Sequence, residues 1–144
     1  MSSSKSSAAQ KTFKIDIPSD PDFEKIPRAA VEVIAQKMGF SPERIEELKT
    51  AIGEAVGNAI EHGNQKNVDT RVLVEFIVES DALVMRVIDH GLQPIPDIAV
   101  ERIFPDNNRG WGLQWIKDFT DEAATQAKPG QNEITMIAYL NRET

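Results

Sequence analysis

Apolar and polar residues alternate along several stretches of the chain, and this two-residue period is typical of strands with one buried face. The first stretch is "TFKIDIP" (12–18), in which apolar residues alternate with polar ones until a proline ends the run. The segments "TRVLVEFIV" (70–78) and "ALVMRVID" (82–89) repeat the alternation, and the short "ESD" between them predicts a hairpin. Near the C-terminus, "EAATQA", "KPGQN" and "EITMIAYL" predict a strand, a turn and a last strand.

Three further stretches place apolar residues three and four positions apart, as in helices with one buried side. The first, "DFEKIPRAAVEVIAQKMG" (22–39), ends at a glycine suited to a C-terminal stop. Ser41 and Pro42 open the second helix as N-cap and first helical residue, and Gly63 is predicted to end it. The third is "GLQWIKDFTDE" (112–122). The apolar positions of the three helices are Ile26, Ala30, Val33, Ile34, Met38, Ile45, Leu48, Ile52, Ala55, Val56, Ala59, Ile60, Leu113 and Ile116, with Trp115 as a further inward candidate.

The predicted elements follow one another as β-α-α-β-β-α-β-β, which indicates an α+β fold: a two-layer sandwich of helices on a mostly antiparallel mixed sheet. Residues 12–144 are predicted to form one domain, because a chain of 144 residues suits a single core. The Ser- and Ala-rich residues 1–11 are predicted to be a disordered tail. A connection of about twenty residues, "HGLQPIPDIAVERIFPDNNRGWG", precedes the third helix, and connections of that length are usually functional or mobile.

Composition narrows the function classes. The net charge is −7 and basic runs are absent, so direct binding to nucleic acid is disfavoured. The chain has no cysteine, which excludes disulfides, thiolate metal sites and a cysteine nucleophile, and which is compatible with the cytoplasm. No apolar stretch approaches the roughly 20 residues of a membrane span, so no membrane association is expected.

The second helix carries an unusual polar side. In "GEAVGNAIEHGN", Glu54 and Asn58 are one turn apart, and Glu61 and His62 follow. A carboxylate and an amide oxygen in line suit a hard divalent cation, or a proton acceptor beside one, although a solvated polar face would have the same residues. Gly53 and Gly57 create a bare strip of backbone where another segment can come close, and packing of the helix on the sheet is one explanation of that strip.

Asp89 stands at the end of a predicted strand, where the alternation would place another inward apolar residue. An inward carboxylate needs hydrogen-bond donors, and Gly91 just after it permits an unusual turn. A strand-end turn residue is the alternative interpretation of Asp89.

A third motif lies in "NNRGWGLQWI", where Gly110 and Gly112 are predicted to precede a helix directly. Backbone N–H groups at a helix start attract phosphate, and Arg109 can add a positive charge. Ordinary turns and a solvated arginine would produce the same pattern. Trp111 is unusual in a loop unless it covers something.

In this order the three motifs resemble the ATPase fold shared by histidine kinases and type II topoisomerases: E-x-x-x-N-x-x-x-H on a helix, D-x-G after a strand, and G-x-G at a helix start. The strings "ELKTAIGEAVGNAIEHG" and "RGWGLQWIKDFTDE" resemble, more narrowly, the bacterial anti-sigma factor serine kinases. The resemblance extends from about Phe13 to Leu140.

The resemblance implies an ATP- and Mg²⁺-dependent protein kinase. Asn58 would bind the Mg²⁺ that bridges the ATP phosphates, and Glu54 would be the general base for a protein serine. Asp89 would accept a hydrogen bond from the adenine amino group, and Gly91 would let the backbone approach the base.

Further ATP-binding residues follow from the same resemblance. Gly110 and Gly112 would donate backbone N–H groups to the phosphates, with Arg109 beside them. His62 matches the family pattern and is assigned to the lid or the phosphates. The lid would be "PDIAVERIFPDNN".

The implied partners are a sigma factor and a small anti-anti-sigma antagonist protein that is phosphorylated on serine; a homodimer also fits the family. One position departs from the pattern, because Gln93 replaces the second glycine of D-x-G-x-G. The alternative function is therefore a non-catalytic partner-switching module of the same fold, with weak nucleotide binding or none.

Overall fold

The computed structural model describes residues 10–64, 69–91 and 108–141, and within these ranges it describes the backbone but not the side chains of residues 62, 63 and 108–111. Five strands and three α-helices occur in the described ranges. The strands are β1 (Lys11–Pro18), β2 (Arg71–Val78), β3 (Ala82–Asp89), β4 (Glu122–Lys128) and β5 (Gln131–Tyr139). The helices are α1 (Lys25–Met38), α2 (Pro42–Asn58) and α3 (Asn108–Phe119), with a 3-10 turn over Pro21–Phe23.

The strands form one sheet in the order β1-β2-β3-β5-β4. Every described pairing is antiparallel, which refines the expectation of a mostly antiparallel mixed sheet. Phe13 lies opposite Phe76, Phe76 opposite Met85, and Met85 opposite Met136, so the alternation of each strand continues across the sheet. One face of the sheet therefore carries the apolar residues that pack against the helices.

The helices form the second layer, in which α1 and α3 both pack against α2. The core lies between α2 and the central strands, and each large apolar side chain that is fully buried there stabilises the fold by about 1.5–3 kcal/mol. The largest fully buried side chains are Phe76, Leu48, Ile52, Ile60, Leu83, Met85, Leu113, Ile116, Met136, Val31 and Val56. The two-layer α+β fold predicted from the sequence is confirmed.

The ends of α1 and α2 agree with the sequence signals. Gly39 follows α1 with a φ of 99°, the left-handed conformation in which glycine is favoured. Ser41 caps α2, since its side chain accepts a hydrogen bond from the backbone N–H of Arg44 at 3.1 Å, and Pro42 is the first helical residue. Beyond Asn58 the helix continues to Gly63 as a π-helical segment, Ala59–Gly63, rather than as regular α-helix.

The helix α1 is rotated relative to its predicted apolar stripe. Ile26 and Val33 are exposed, whereas Pro27, Val31 and Ala35 are buried. Because α1 packs beside α2, its buried side is directed toward that helix as well as toward the sheet.

The helix α3 begins at Asn108, so Gly110 and Gly112 lie inside the helix and not in front of it as predicted. Leu113 and Ile116 are fully buried as expected, but Trp115 is exposed, which corrects its inward assignment. The predicted lid and Gln93 lie outside the described residues.

A buried arginine joins the helices to the sheet. Arg44 on α2 donates hydrogen bonds to the Phe119 carbonyl at 2.7 Å, to Asp121 at 2.8 Å and to Glu47 at 3.0 Å. Asp121 in turn accepts a hydrogen bond from the backbone N–H of Tyr139 at 2.7 Å. The start of α2, the end of α3 and the strand β5 are therefore held together by one cation, since a charge buried this far is stable only when it is paired.

Candidate functional site

Glu54 and Asn58 lie one turn apart on the side of α2 that faces α3. A Cβ atom at Gly112 would lie 2.5 Å from Glu54 Oε1 and 3.5 Å from Asn58 Nδ2. A larger residue at position 112 would displace the carboxylate, because real Cβ contacts are never so short. Gly112 therefore allows α3 to approach the polar side of α2 closely.

The burial of Asn58 lowers the stability of the folded chain. Its residue exposure is 7%, and its Nδ2 atom has no hydrogen-bond partner among the described residues. A buried donor without a partner costs roughly 1–3 kcal/mol, so an apolar residue of similar size would be more stable here. The presence of an amide at this position indicates a role other than folding.

Glu54 is half-buried beside Asn58. Burial raises the pKa of its carboxyl above the ordinary value, and the negative charges of Glu24 and Glu61 raise the pKa further. The positive charge of Arg28 acts in the opposite direction. A carboxylate with a raised pKa accepts protons more readily near neutral pH, which is the property required of a general base.

The glycine strip of α2 faces side chains from α1 and from Glu24, the residue just before it. A Cβ atom at Gly53 would lie 3.2 Å from Arg28 Cδ, and one at Gly57 would lie 3.5 Å from Glu24 Oε2. Arg28 and Glu24 form an ion pair with 3.4 Å between Nη1 and Oε1. Packing of the helix on the sheet is therefore not the reason for the strip, because both glycines face charged side chains that lie beside Glu54, and the contact at Gly53 is the tighter of the two.

Asp89 is 5% exposed, which confirms the inward carboxylate predicted from the strand pattern. Its Oδ1 atom accepts hydrogen bonds from the backbone N–H of Gly91 at 2.8 Å and from Asn132 Nδ2 at 3.1 Å. The required donors are therefore a backbone group two residues away and a side chain of β5. Asn132 was not predicted from the sequence, since only the pairing of β3 with β5 brings it opposite Asp89.

A small cleft connects Asn58 with Asp89. Its volume is about 10 Å³, close to the space of one water molecule. The residues that line it come from α2, β3 and β5: Ala55, Asn58, Ala59, Val87, Asp89, Asn132, Glu133 and Ile134. Two motifs that are about thirty residues apart in the sequence thus meet at one site, as the family resemblance implied.

A second buried amide, Asn64, supports this site and was also not predicted. Its Nδ2 atom donates to Ser19 Oγ at 2.7 Å and to the Arg71 carbonyl at 3.0 Å, and its Oδ1 atom accepts from the His90 N–H at 3.0 Å. Ser19 Oγ also lies 3.0 Å from Thr70 Oγ1. Asn64 therefore holds the chain just after Asp89 against the end of the π-helical segment. The only sequence signal was an asparagine directly after the predicted helix end.

The start of α3 is the remaining part of the site. The first turn of a helix has N–H groups without partners inside the helix, and Gly110 belongs to that turn. Gly112 lies beyond it, within the range of regular helical hydrogen bonds. The side chains of Arg109 and His62 lie outside the described residues, so their assignment to ATP binding stays a prediction.

A comparison with protein families identifies the family of the chain. A family model described as the histidine kinase-like ATPase domain matches residues 17–138, which include β2, β3, β4, the last two residues of β1 and all of β5 but its last residue. The chain belongs to the histidine kinase-like ATPase family. The helix with Glu54 and Asn58, the strand end at Asp89 and the start of α3 all lie within the matched residues.

Similar curated proteins include relatives named serine-protein kinases. Serine-protein kinase RsbW of Listeria monocytogenes is 35% identical over 138 residues, which are 90% of this chain and 87% of the relative. Serine-protein kinase RsbW of Bacillus licheniformis is 33% identical over 138 residues, with 88% and 84% covered. These relatives confirm the resemblance to the bacterial anti-sigma factor serine kinases.

Two solved structures share the fold of this ATPase domain. One contains the RsbU and RsbW domains of a Mycobacterium tuberculosis protein; it superposes with a TM-score of 0.69 at 22% identity and covers 93% of this chain and 33% of that chain. The other is the SiaB–SiaC complex of Pseudomonas aeruginosa, with a TM-score of 0.61 at 14% identity and coverage of 88% and 89%. At these identities the two structures support the fold alone.

The ATPase family implies nucleotide use, commonly with Mg²⁺, and the side chains present fit that group. In the ranges that the structure describes, no cluster of three or more His, Cys, Asp or Glu residues could hold a metal ion alone. Mg²⁺ in nucleotide sites takes one or two protein ligands and completes its shell with phosphate oxygens and water. The amide oxygen of Asn58 is a ligand of this kind, and the unpaired Nδ2 atom is a hydrogen-bond donor that suits a phosphate oxygen.

Among the helices that the structure describes, none is both long and apolar enough to cross a bilayer.

Proposed function

We propose that this chain is an anti-sigma factor serine-protein kinase that uses Mg-ATP to phosphorylate a serine on an anti-anti-sigma protein. The observation that carries the proposal is the buried Asn58, whose Nδ2 atom lacks a partner in the described part of the chain and which lines the same cleft as Asp89. The unpaired Nδ2 atom would donate to a phosphate oxygen, and the amide oxygen beside the half-buried Glu54 would combine a metal ligand with a proton acceptor.

Each residue of the candidate site has a separate role in the proposed reaction. Asn58 would hold Mg²⁺, which supplies charge neutralisation for the phosphates when it is bound. Glu54 would accept the proton of the serine hydroxyl as the oxygen forms its bond to the γ-phosphorus and the bond to the β-phosphate oxygen breaks. Asp89 would accept a hydrogen bond from the adenine amino group, with Gly91 beside the base.

The start of α3 would orient the phosphates. Gly110 supplies an N–H group of the first helical turn, and Arg109 and His62 would contribute positive charge or hydrogen bonds. We assign Gly112 a structural role in place of the predicted role in phosphate binding, because it allows α3 to lie against Glu54.

The partners follow from the relatives. The curated relatives are serine-protein kinases named RsbW, and one structural neighbour was solved as a complex of two proteins, SiaB with SiaC. We infer that this chain binds a sigma factor and an anti-anti-sigma protein in turn, in the cytoplasm, without direct contact to nucleic acid or membrane. A homodimer is the proposed assembly.

Calorimetric titration with ATP, with and without Mg²⁺, tests the nucleotide site. The parent chain is expected to bind ATP more tightly with Mg²⁺, and Asn58→Ala to lose that increment while unfolding within about 1 kcal/mol of the parent, because an unpaired buried amide is removed. Gln36→Ala, which removes an exposed amide from α1, is the matched control and should bind like the parent. Equal Mg²⁺ dependence in the parent and Asn58→Ala would contradict the assignment of the metal ligand.

Transfer is tested by incubating the chain with Mg-ATP and a candidate anti-anti-sigma protein, followed by mass spectrometry of phosphoserine. Glu54→Gln should reduce the rate by about 10²–10⁴-fold while ATP affinity is retained, since a general base contributes that much. Glu46→Gln removes an exposed carboxylate from the same helix and should leave the rate unchanged.

The non-catalytic alternative rests on Gln93, which replaces a glycine of the family pattern. It would be favoured if the chain bound a sigma factor or an anti-anti-sigma protein tightly but transferred no phosphate. A Gln93→Gly variant that gained ATP affinity would identify that side chain as the cause.

A further inference from the structure

A groove of apolar side chains runs between the edge strand β1 and the C-terminal half of α1. Two adjoining cavities, of about 310 and 610 Å³, make up this β1–α1 groove. They share Phe13 on the strand and Val33 and Ile34 on the helix. The groove lies on the edge strand of the sheet and is lined by none of the residues of the candidate site.

The groove exists because the helix layer does not cover the first half of β1. Phe13 belongs to the face of the sheet that packs against the helices, since it lies opposite the fully buried Phe76. Phe13 itself is nevertheless 45% exposed, and Val33 on the facing helix is 55% exposed. Two large apolar side chains are therefore exposed on the two walls of one groove. Exposed apolar side chains that lie together in this way are unusual on a protein surface.

The charge of the groove is opposite to that of the molecule. Lys11 and Lys37 line it, and neither residue forms an ion pair within the described part of the chain. Lys14 also borders it but is directed to Glu75, with 3.6 Å between Nζ and Oε2. Among the described residues, no aspartate or glutamate lines either cavity, although the whole chain has 23 acidic residues and a net charge of −7.

We propose that the β1–α1 groove binds an acidic amphipathic helix of a partner protein. An apolar stripe would pack on Phe13, Val33 and the neighbouring side chains, and flanking carboxylates would pair with Lys11 and Lys37. The wall from Ala30 to Met38 extends for about 12 Å at 1.5 Å per residue, which matches two turns of a helix. The walls consist of side chains on both sides, which suits a helix better than an added strand.

The N-terminal residues of the same chain do not have this chemistry. Residues 1–9 contain one lysine, five serines at positions 2, 3, 4, 6 and 7, and no acidic residue, so they offer neither the apolar stripe nor the carboxylates. The positive charges of Lys11 and Lys37 therefore favour a negatively charged partner in the groove.

The test uses a designed helical peptide of about 16 residues, roughly four turns, with leucine at i, i+3, i+4 and i+7 spacing and glutamate on its flanks. Its twin carries lysine in place of every glutamate. Binding is followed by amide chemical shifts of the ¹⁵N-labelled full chain, which also report whether each variant is folded. The expected result is that the acidic peptide binds at least about tenfold more tightly than its twin and shifts the amides of β1 and α1.

Three variants locate the binding. Val33→Glu should weaken the acidic peptide by about tenfold or more, because it places a negative charge among the leucines. Lys37→Glu should reduce the difference between the two peptides. Trp115→Glu introduces the same charge at an exposed apolar residue of α3 and should bind like the parent.

The proposal is overturned if neither peptide binds, if both bind equally, or if Val33→Glu binds as the parent does. It is also overturned if the parent chain self-associates in a way that Val33→Glu abolishes, since the groove would then belong to a second copy. None of these outcomes depends on ATP or on phosphoryl transfer, so the proposal stands or falls separately from the kinase assignment.

Discussion

Two asparagines of this chain are buried for different reasons. Asn58 leaves one amide hydrogen-bonding atom without a partner in the described residues, and Asn64 uses its amide to join three segments. The first arrangement costs stability and leaves chemistry free for a ligand. The second arrangement contributes stability, because each hydrogen bond would otherwise be an unpaired buried group.

The loss of Asn64 is expected to be severe. Asn64→Ala removes three hydrogen bonds and leaves Ser19, the Arg71 carbonyl and the His90 N–H with fewer partners, so the free energy of unfolding should fall by about 2–4 kcal/mol. Denaturant unfolding measures this change. Gln114→Ala, which removes an exposed amide bonded to Asp118 at 3.0 Å, should stay within about 0.5 kcal/mol of the parent. Similar stabilities of the two variants would show that the Asn64 network is not structural.

At the scale of single elements, α2 combines a structural side and a chemical side. Its apolar side packs into the core, whereas its glycine strip admits Arg28 and Glu24 beside Glu54. The helix then changes to π-helical geometry over Ala59–Gly63, directly after Asn58. Such segments often occur at functional sites, because they shift the side chains that follow.

The glycines provide an element-scale prediction with two signs. Gly57→Ala should stabilise the chain by about 0.5–1 kcal/mol, because the added methyl meets only Glu24 Oε2 at an ordinary 3.5 Å and alanine suits a helix interior better. Gly39→Ala should destabilise it by about 1–2 kcal/mol, because its φ of 99° is left-handed. Thermal unfolding of both variants checks this, and a destabilised Gly57→Ala would show that the strip needs more room than its nearest contacts indicate.

At the scale of the whole molecule, charged side chains on the outer face connect strands that are distant in sequence. Arg86 on β3 pairs with Glu75 on β2 and with Glu133 on β5, at 2.8 Å between Nη2 and Oε1 in the latter pair. Lys14 extends the series to β1. These pairs contribute to the stability of the sheet, since opposite charges lie across neighbouring strands.

The pairing of Glu133 predicts how stability depends on pH. The hydrogen bond from Arg86 holds the pKa of the Glu133 carboxyl below its ordinary value of 4.5. A carboxyl with a lowered pKa contributes stability that is present above pH 4.5 and is lost as the pH falls through the folded-state pKa. Glu133→Gln should therefore melt at a lower temperature than the parent at pH 7, and the difference should shrink toward pH 3. A constant difference across this range would exclude the charge as its cause.

Much of the fold could be predicted because local patterns agree with it. The alternation in β1, β2 and β3, the cap at Ser41 and the stop at Gly39 all appear in the structure. The orientation of α1 and the position of Trp115 were wrong, because an apolar stripe does not say which neighbour it packs against. The start of α3 was also misplaced, since Gly112 is tolerated in the helix for a contact with Glu54 that no local pattern shows.

By itself, the sequence determined the elements, the two-layer class and the family, because periodicity and motif spacing are properties of the chain in one dimension. It also indicated that Glu54, Asn58 and Asp89 form an unusual set of polar residues, two on one side of a helix and one at the inward end of a strand. Only the tertiary structure decided that Asn132 and Asn64 complete the surroundings of Asp89, and that the helix layer leaves Phe13 uncovered. Those facts depend on which strand lies beside which, and the energies that decide this come from contacts between residues far apart in the chain.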